Sequence, residues 1–416
     1  MLIKLYNIIK NFKIENHLAT SILSTVIGII VVTIIFVVSN LLENKNLIAE
    51  FSVLFVIYFS TSLICMLGND HEIVAKSNFL KNKKNIIFVD EKIFKVFFGV
   101  LLSGLIFFFI NKYIYYLKID IDSNQLKILF YSSVLFLLNK NIQSYCLASS
   151  LLLQNALIDL LRAFGYVFFL VAWLKNNSLN ISLIFLFGEI FIIIFIPFYF
   201  FFNNFKINFI KKKLKFDFNY LIIGISQFSY QSIFKLDILI LSVLGNYNLV
   251  ILYTILSNVI EGLVNFFATF HPSCNNYILK KYNKISIKTK EKNNIRIILK
   301  ICMILIFLII PSYFILNILI LNEFPNFNFQ IMCLILVISL IVSRKMFLFF
   351  FAFSMCQKPM IQLIFSIAFV VCNLILNIIL FNLIGVFGLA VATALTYIIF
   401  YILHNFLFNR IIAHEN

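Results

Sequence analysis

Twelve apolar stretches run along the chain, separated by short polar or basic segments. They are expected at about 17–40, 47–68, 93–114, 128–150, 157–175, 181–202, 219–244, 249–271, 297–321, 329–353, 360–382 and 385–407. Each is close to the roughly 20 residues that cross about 30 Å of hydrocarbon at about 1.5 Å per residue. The runs are continuous, unlike the alternating segments of about ten residues that build a membrane β-barrel. In lipid every backbone polar group needs a partner within the chain, and a helix supplies one segment by segment. The expected class is an all-α polytopic membrane protein with about 12 transmembrane helices. The first run follows Lys4, Lys10, Lys13 and His17 and is too long for a cleavable signal, so it is expected to be retained as span one.

The spacing of these runs repeats. A hairpin of two spans is followed by a basic loop, a second hairpin, a short loop and a third hairpin. The same order recurs after Asp217, at an offset of roughly 200 residues. Two six-helix halves of like orientation are a recurring transporter plan. The expected domains are six-helix bundles at 1–205 and 206–416, packed side by side around a central cavity.

Charge settles the orientation. Lys76, Lys81, Lys83, Lys84 and Lys92 follow span two, and Lys206, Lys211, Lys212, Lys213 and Lys215 follow span six. Lys280, Lys281, Lys284, Lys288, Lys290, Lys292 and Arg296 follow span eight. The opposite face holds only Lys45, Lys112, Lys118, Lys127 and Lys175. The basic loops all follow even-numbered spans, so the positive-inside rule puts them and both termini in the cytoplasm. The net charge of +17 is thereby explained as orientation, with anionic-lipid contact, and not as nucleic-acid binding. The loops after spans two and eight have room for short amphipathic surface helices. Composition agrees with lipid as solvent: 62% of residues are apolar and 12% charged, against roughly 45–50% and 25% in soluble domains.

Little conventional chemistry is present. There is no GxxxxGK[ST] motif, no CxxC pair and no His/Cys spacing for a metal. The seven scattered cysteines read as small packing residues. No cofactor is expected. What stands out is charge inside spans, which is costly and usually faces a cavity or another charge. The cations are Lys140, Lys235, Arg344 and Lys345; the acids are Glu189, Asp237 and Glu261. Arg162 lies near the end of span five, where it can snorkel. Gln227, Gln231 and Lys235 share one face of span seven, and Tyr253, Ser257, Glu261 and Asn265 one face of span eight. Lys140 shares a face with Gln143 and Ser144. Lys235 and Asp237 are two apart and do not face each other, so Asp237 is expected to find its partner on another helix or in a wet pocket. Lys140, Lys235, Arg344 and Lys345 are the candidates for a cationic cavity that binds an anionic substrate. Asp237, Glu261 and Glu189 are the candidates for coupling or counter-charge. The competing reading is that all of these only pair and fix helix packing.

Three short segments resemble the Wzx-type polysaccharide, or O-antigen, flippases of the multidrug/oligosaccharidyl-lipid/polysaccharide exporter superfamily. The end of span two reads Leu67-Gly68-Asn69-Asp70-His71-Glu72-Ile73-Val74-Ala75. Span seven reads Lys235-Leu236-Asp237-Ile238-Leu239-Ile240-Leu241-Ser242, then Gly245-Asn246-Tyr247-Asn248 and Tyr253. Span eight ends Phe270-His271-Pro272-Ser273. Ile238 stands where the family often has arginine, and Leu252 where it often has glycine. The resemblance implies a transporter, not an enzyme, of the bacterial inner membrane. Its substrate would be an undecaprenyl-diphosphate-linked oligosaccharide destined for O-antigen, lipopolysaccharide or capsule. It further implies alternating access, a coupling ion such as a proton or sodium, and partners among the polymerase and chain-length proteins of the same pathway. The alternatives are a drug or metabolite antiporter of the same superfamily and an O-antigen polymerase or ligase. The latter typically carry a long external loop, which this chain lacks.

Overall fold

The computed structural model describes residues 45–70, 73, 86–90, 94–114, 121–148, 152–175, 180–202, 206–210, 218–231, 233–244 and 359–414, with scattered positions in 249–257 and 331–342. Its helices are α1 (Lys45–Cys65), α2 (Phe94–Tyr113), α3 (Ser123–Ala148), α4 (Leu152–Lys175), α5 (Leu183–Phe202), α6 (Phe218–Gln231), α7 (Ile233–Leu244), α8 (Pro359–Ile384) and α9 (Phe387–His414). These match the expected spans two to seven, eleven and twelve, span seven being described as α6 and α7. Spans one and nine lie outside the described residues, and spans eight and ten lie largely so.

Helices of the chain turn apolar residues outward and keep polar residues among those they bury. On α8 the buried stripe is Pro359, Gln362, Ser366, Phe369, Asn373 and Asn377. Met360, Ile364, Ile367, Val371, Ile375 and Ile378 of the same helix are exposed. On α2, Phe97, Phe98, Leu101, Leu105, Phe108 and Phe109 are each more than half exposed. A soluble helix does the reverse, turning its apolar stripe to the core. Only a hydrocarbon surround makes this arrangement stable, so the chain is a multi-pass membrane protein. α2, α5, α8 and α9 are each long and apolar enough to cross the bilayer.

The chain forms two compact units. Among the described residues, an N-terminal unit is drawn from Val26–Phe228 with Ile238–Ile251, and a C-terminal unit from Ser229–Asp237 and Leu252–Asn416.

In the N-terminal unit, α4 packs along α5, and α3 packs on both and on α1 and α2. Asn180 starts α5: its Oδ1 accepts from Ser182 N at 3.0 Å and Ser182 Oγ at 2.7 Å, satisfying a donor near the helix start. Small residues let the backbones meet. A Cβ on Gly165 of α4 would stand 2.7 Å from Gly188 Cα of α5. At the end of α1, Leu67 and Gly68 adopt left-handed backbone with φ of 50° and 68°, which ends the helix. There Gly68 meets Gly224 of α6 backbone to backbone, since a Cβ on Gly224 would lie 2.5 Å from Gly68 N.

Two strands were not expected. β1 (Ile86–Asp90) and β2 (Lys206–Ile210) pair in parallel, Ile86 opposite Lys206 and Asp90 opposite Ile210. The loop after span two therefore carries a strand, where a surface helix had room. Its Ile-Ile-Phe-Val run is β-branched and aromatic, which favours extended backbone. The pairing joins the basic loops after spans two and six, so both lie on the same face, as their charge requires.

In the C-terminal unit α8 and α9 form a hairpin joined by a tight turn in which Gly385 N donates to Phe381 O at 2.8 Å.

Candidate functional site

Among the described residues, each unit contains a buried polar cluster around a carboxylate. In the N-terminal unit it is centred on Glu189 of α5, which has no exposed surface. Glu189 accepts from Tyr58 Oη at 2.8 Å, from Asn139 Nδ2 at 2.7 Å and from Arg162 Nε at 2.7 Å. Arg162 Nη2 reaches the second carboxylate oxygen at 3.4 Å, and the guanidinium lies 5.2 Å from the centre of the Phe136 ring. The Gly165–Gly188 approach brings α4 close enough for this pairing, and Gly188 leaves room for the Tyr166 ring, 2.1 Å from where a Cβ would sit. The network continues outward. Arg162 Nη1 binds Asp159 Oδ1 at 3.1 Å, and Gln143 Nε2 donates to both Asp159 oxygens at 3.1 and 3.0 Å. Lys140 Nζ donates to Gln143 Oε1 at 3.0 Å. Two cations and two carboxylates from three helices thus form one balanced network.

In the C-terminal unit the centre is Asp237 of α7, also without exposed surface. Tyr253 Oη donates to it in a short hydrogen bond. Asn377 Nδ2 donates at 2.5 Å and Thr393 Oγ1 at 3.2 Å. Asn373 Oδ1 accepts from Asn377 at 3.0 Å, extending the cluster along α8. Among the described residues these three donors to Asp237 are neutral, so its carboxyl group is held by dipoles. Hydrogen bonds to a charged group contribute about 1.5–3 kcal/mol each, which together offset part of a desolvation cost of several kcal/mol.

The expected site residues therefore fall in different places. Asp237 finds its partners on other helices, as its spacing from Lys235 requires. Lys140 meets Gln143, and Ser144 Oγ donates back to Lys140 O at 2.8 Å, so that face is polar as read. Lys235 is buried in the C-terminal unit, 2% exposed. Glu189 serves as counter-charge to Arg162. Arg162 does not snorkel: Glu189 and Asp159 hold it inside, with 14% of its side chain exposed. Arg344, Lys345 and Glu261 lie outside the described residues. Asp159 and the central role of Arg162 were missed. The signal was Asp159 and Arg162 at i, i+3 within an apolar span, a spacing at which opposite charges meet. Among the described residues no group of three or more His, Cys, Asp or Glu is placed to hold a metal.

No protein-family model matches the chain, and no curated protein matches it. Solved structures do. A MATE protein in its bent conformation is 11% identical with a TM-score of 0.64, over 96% of this chain and 95% of that one. A multidrug resistance MATE family transporter of the MOP superfamily, in an outward-facing conformation, is 11% identical with a TM-score of 0.61, over 96% of each chain. A MOP superfamily transporter from Pyrococcus furiosus, described as having a binding pocket of reversed polarity, is 8% identical with a TM-score of 0.55, over 95% of this chain and 96% of that one. The chain thus has the MATE-type fold along almost its whole length.

Proposed function

We propose that this protein is a transporter that moves a lipid-linked oligosaccharide with an anionic diphosphate head across the bacterial inner membrane by alternating access. The observation that carries the reading is the end-to-end likeness to MATE and MOP transporters. The six-helix bundles at 1–205 and 206–416 and their central cavity belong to the same proposal, as do cytoplasmic termini. Lys140, Lys235, Arg344 and Lys345 attract the diphosphate, while the prenyl chain stays in lipid. A lysine holds a phosphate as a point charge and an arginine adds a bidentate contact. The Asp237 cluster, rich in oxygen ligands, is the place for a coupling proton or sodium ion, with Glu261 as a second candidate. Undecaprenyl diphosphate as the carrier, O-antigen or capsule as the product, and polymerase and chain-length proteins as partners extend the reading.

A drug or metabolite antiporter is the second reading, favoured by the multidrug description of one structural neighbour. The in-span cations Lys140, Arg162, Lys235, Arg344 and Lys345 against the acids Asp159, Glu189, Asp237 and Glu261 favour an anionic substrate instead. The test is substitution. Lys140→Ala and Arg344→Ala each reduce export of lipid-linked saccharide while the protein still accumulates in the membrane. Normal export in both variants would remove the cationic-cavity reading; loss of the protein itself would make these residues packing elements.

A further inference from the structure

Resting on the anionic-substrate reading, we infer that Arg162, Gln143 and Lys140 form an oxyanion cradle whose place is taken by Asp159 until a phosphate group displaces it. The donors already converge on one carboxylate. Arg162 Nη1 is 3.1 Å from Asp159 Oδ1, and Gln143 Nε2 is 3.1 and 3.0 Å from the two oxygens. Lys140 Nζ stands next in line, 3.0 Å from Gln143 Oε1. A phosphate oxygen pair accepts from the same guanidinium N–H and side-chain amide that the carboxylate does.

The two carboxylates that hold Arg162 are not equivalent. Glu189 is fully buried and is also held by Tyr58 and Asn139, so it stays. Asp159 is the more exposed, at 19%, and sits one turn from Arg162 on the same helix. A same-helix i, i+3 ion pair contributes less where solvent reaches it, and of the two carboxylates Asp159 is the one so reached. Its exposure is not to lipid. Phe164, Phe168 and Val171 form the exposed apolar stripe of α4, and at about 100° per residue Asp159 and Arg162 fall on the opposite side of the helix. With Asp159 in place, Lys140 and Arg162 balance Glu189 and Asp159. When Asp159 withdraws, the cradle is left one charge positive, which suits a diphosphate or a phosphate ester, free or on a lipid.

The test uses the full-length protein in nanodiscs, with binding of inorganic pyrophosphate followed by calorimetry. Asp159→Asn keeps the side-chain shape and removes the competing charge. It should bind pyrophosphate about tenfold more tightly than wild type, and adding Lys140→Ala should cancel that gain. A second arm loads the nanodiscs with a polyprenyl diphosphate. If the lipid headgroup is the ligand, pyrophosphate binding by Asp159→Asn is lost in those discs; if only the free anion binds, it is unchanged, and the cradle stands either way. A folded Asp159→Asn protein that binds pyrophosphate no more tightly than wild type overturns the inference. So does a variant that fails to fold, since Asp159 is then a structural brace. Tighter pyrophosphate binding without any saccharide transport by the wild type would support the cradle and remove the transport reading alone.

Discussion

Glu189 has no exposed surface, so its charge depends on what the protein supplies. Arg162, Tyr58 and Asn139 supply it. Removing the cation leaves a buried carboxylate without compensation, a loss of about 3–5 kcal/mol in comparable pairs. Arg162→Ala should therefore lower the thermal unfolding midpoint in detergent sharply. Arg162→Met with Glu189→Leu should recover most of it, because an apolar pair of similar volume avoids the desolvation cost. Equal instability in the single and double variants would contradict this. Helical spacing made part of the site readable: it sent Asp237 to partners on other helices and put Gln143 beside Lys140. It could not name those partners, because Tyr253, Asn377 and Thr393 are brought together only by packing of distant segments. Arg162 was misread for a related reason. Position near a span end permits snorkelling, but Glu189 lies 27 positions away and only the α4–α5 crossing reveals it.

At the scale of elements, close backbone approaches hold the N-terminal unit, and two of them can be compared directly. The α4–α5 crossing depends on Gly188, where a Cβ would fall 2.1 Å from the Tyr166 ring. The α1–α6 contact depends on Gly224, where a Cβ would fall 2.5 Å from Gly68 N. Overpacking of this kind costs about 1–3 kcal/mol. Gly188→Ala and Gly224→Ala should each lower the unfolding midpoint. Gly224→Ala should do so more, because backbone cannot turn aside as a ring can. The order is read by thermal unfolding of the two purified variants, and the reverse order would contradict the packing account. The β1–β2 ribbon makes a separate prediction. Phe88 and Asn208 are register partners, so cysteines at both positions should be joined by a short thiol cross-linker in native membranes. Lack of a cross-linked product, with both cysteines reactive, would mean that the ribbon does not form. The helices themselves were legible because a continuous apolar run near 20 residues admits one solution in lipid. The ribbon was not, since five residues of β-branched and aromatic character carry no pairing information of their own.

For the whole molecule, the apolar-surfaced helices and the MATE-type fold along the chain agree with the succession of apolar spans read from the sequence. Fold and membrane residence were legible because both follow from lengths and charge placement. The substrate is carried only by a few polar side chains, and residues such as Arg344 and Glu261 lie outside the described part of the chain. Sidedness of the lipid-linked glycan therefore tests the central claim most directly. In a strain lacking the gene, lipid-linked saccharides would be probed in intact cells and in inverted vesicles. The account predicts single repeat units on the lipid carrier, trapped on the cytoplasmic side. Single units that reach the outer face unpolymerised, or a glycan profile unchanged from the parent strain, would contradict it.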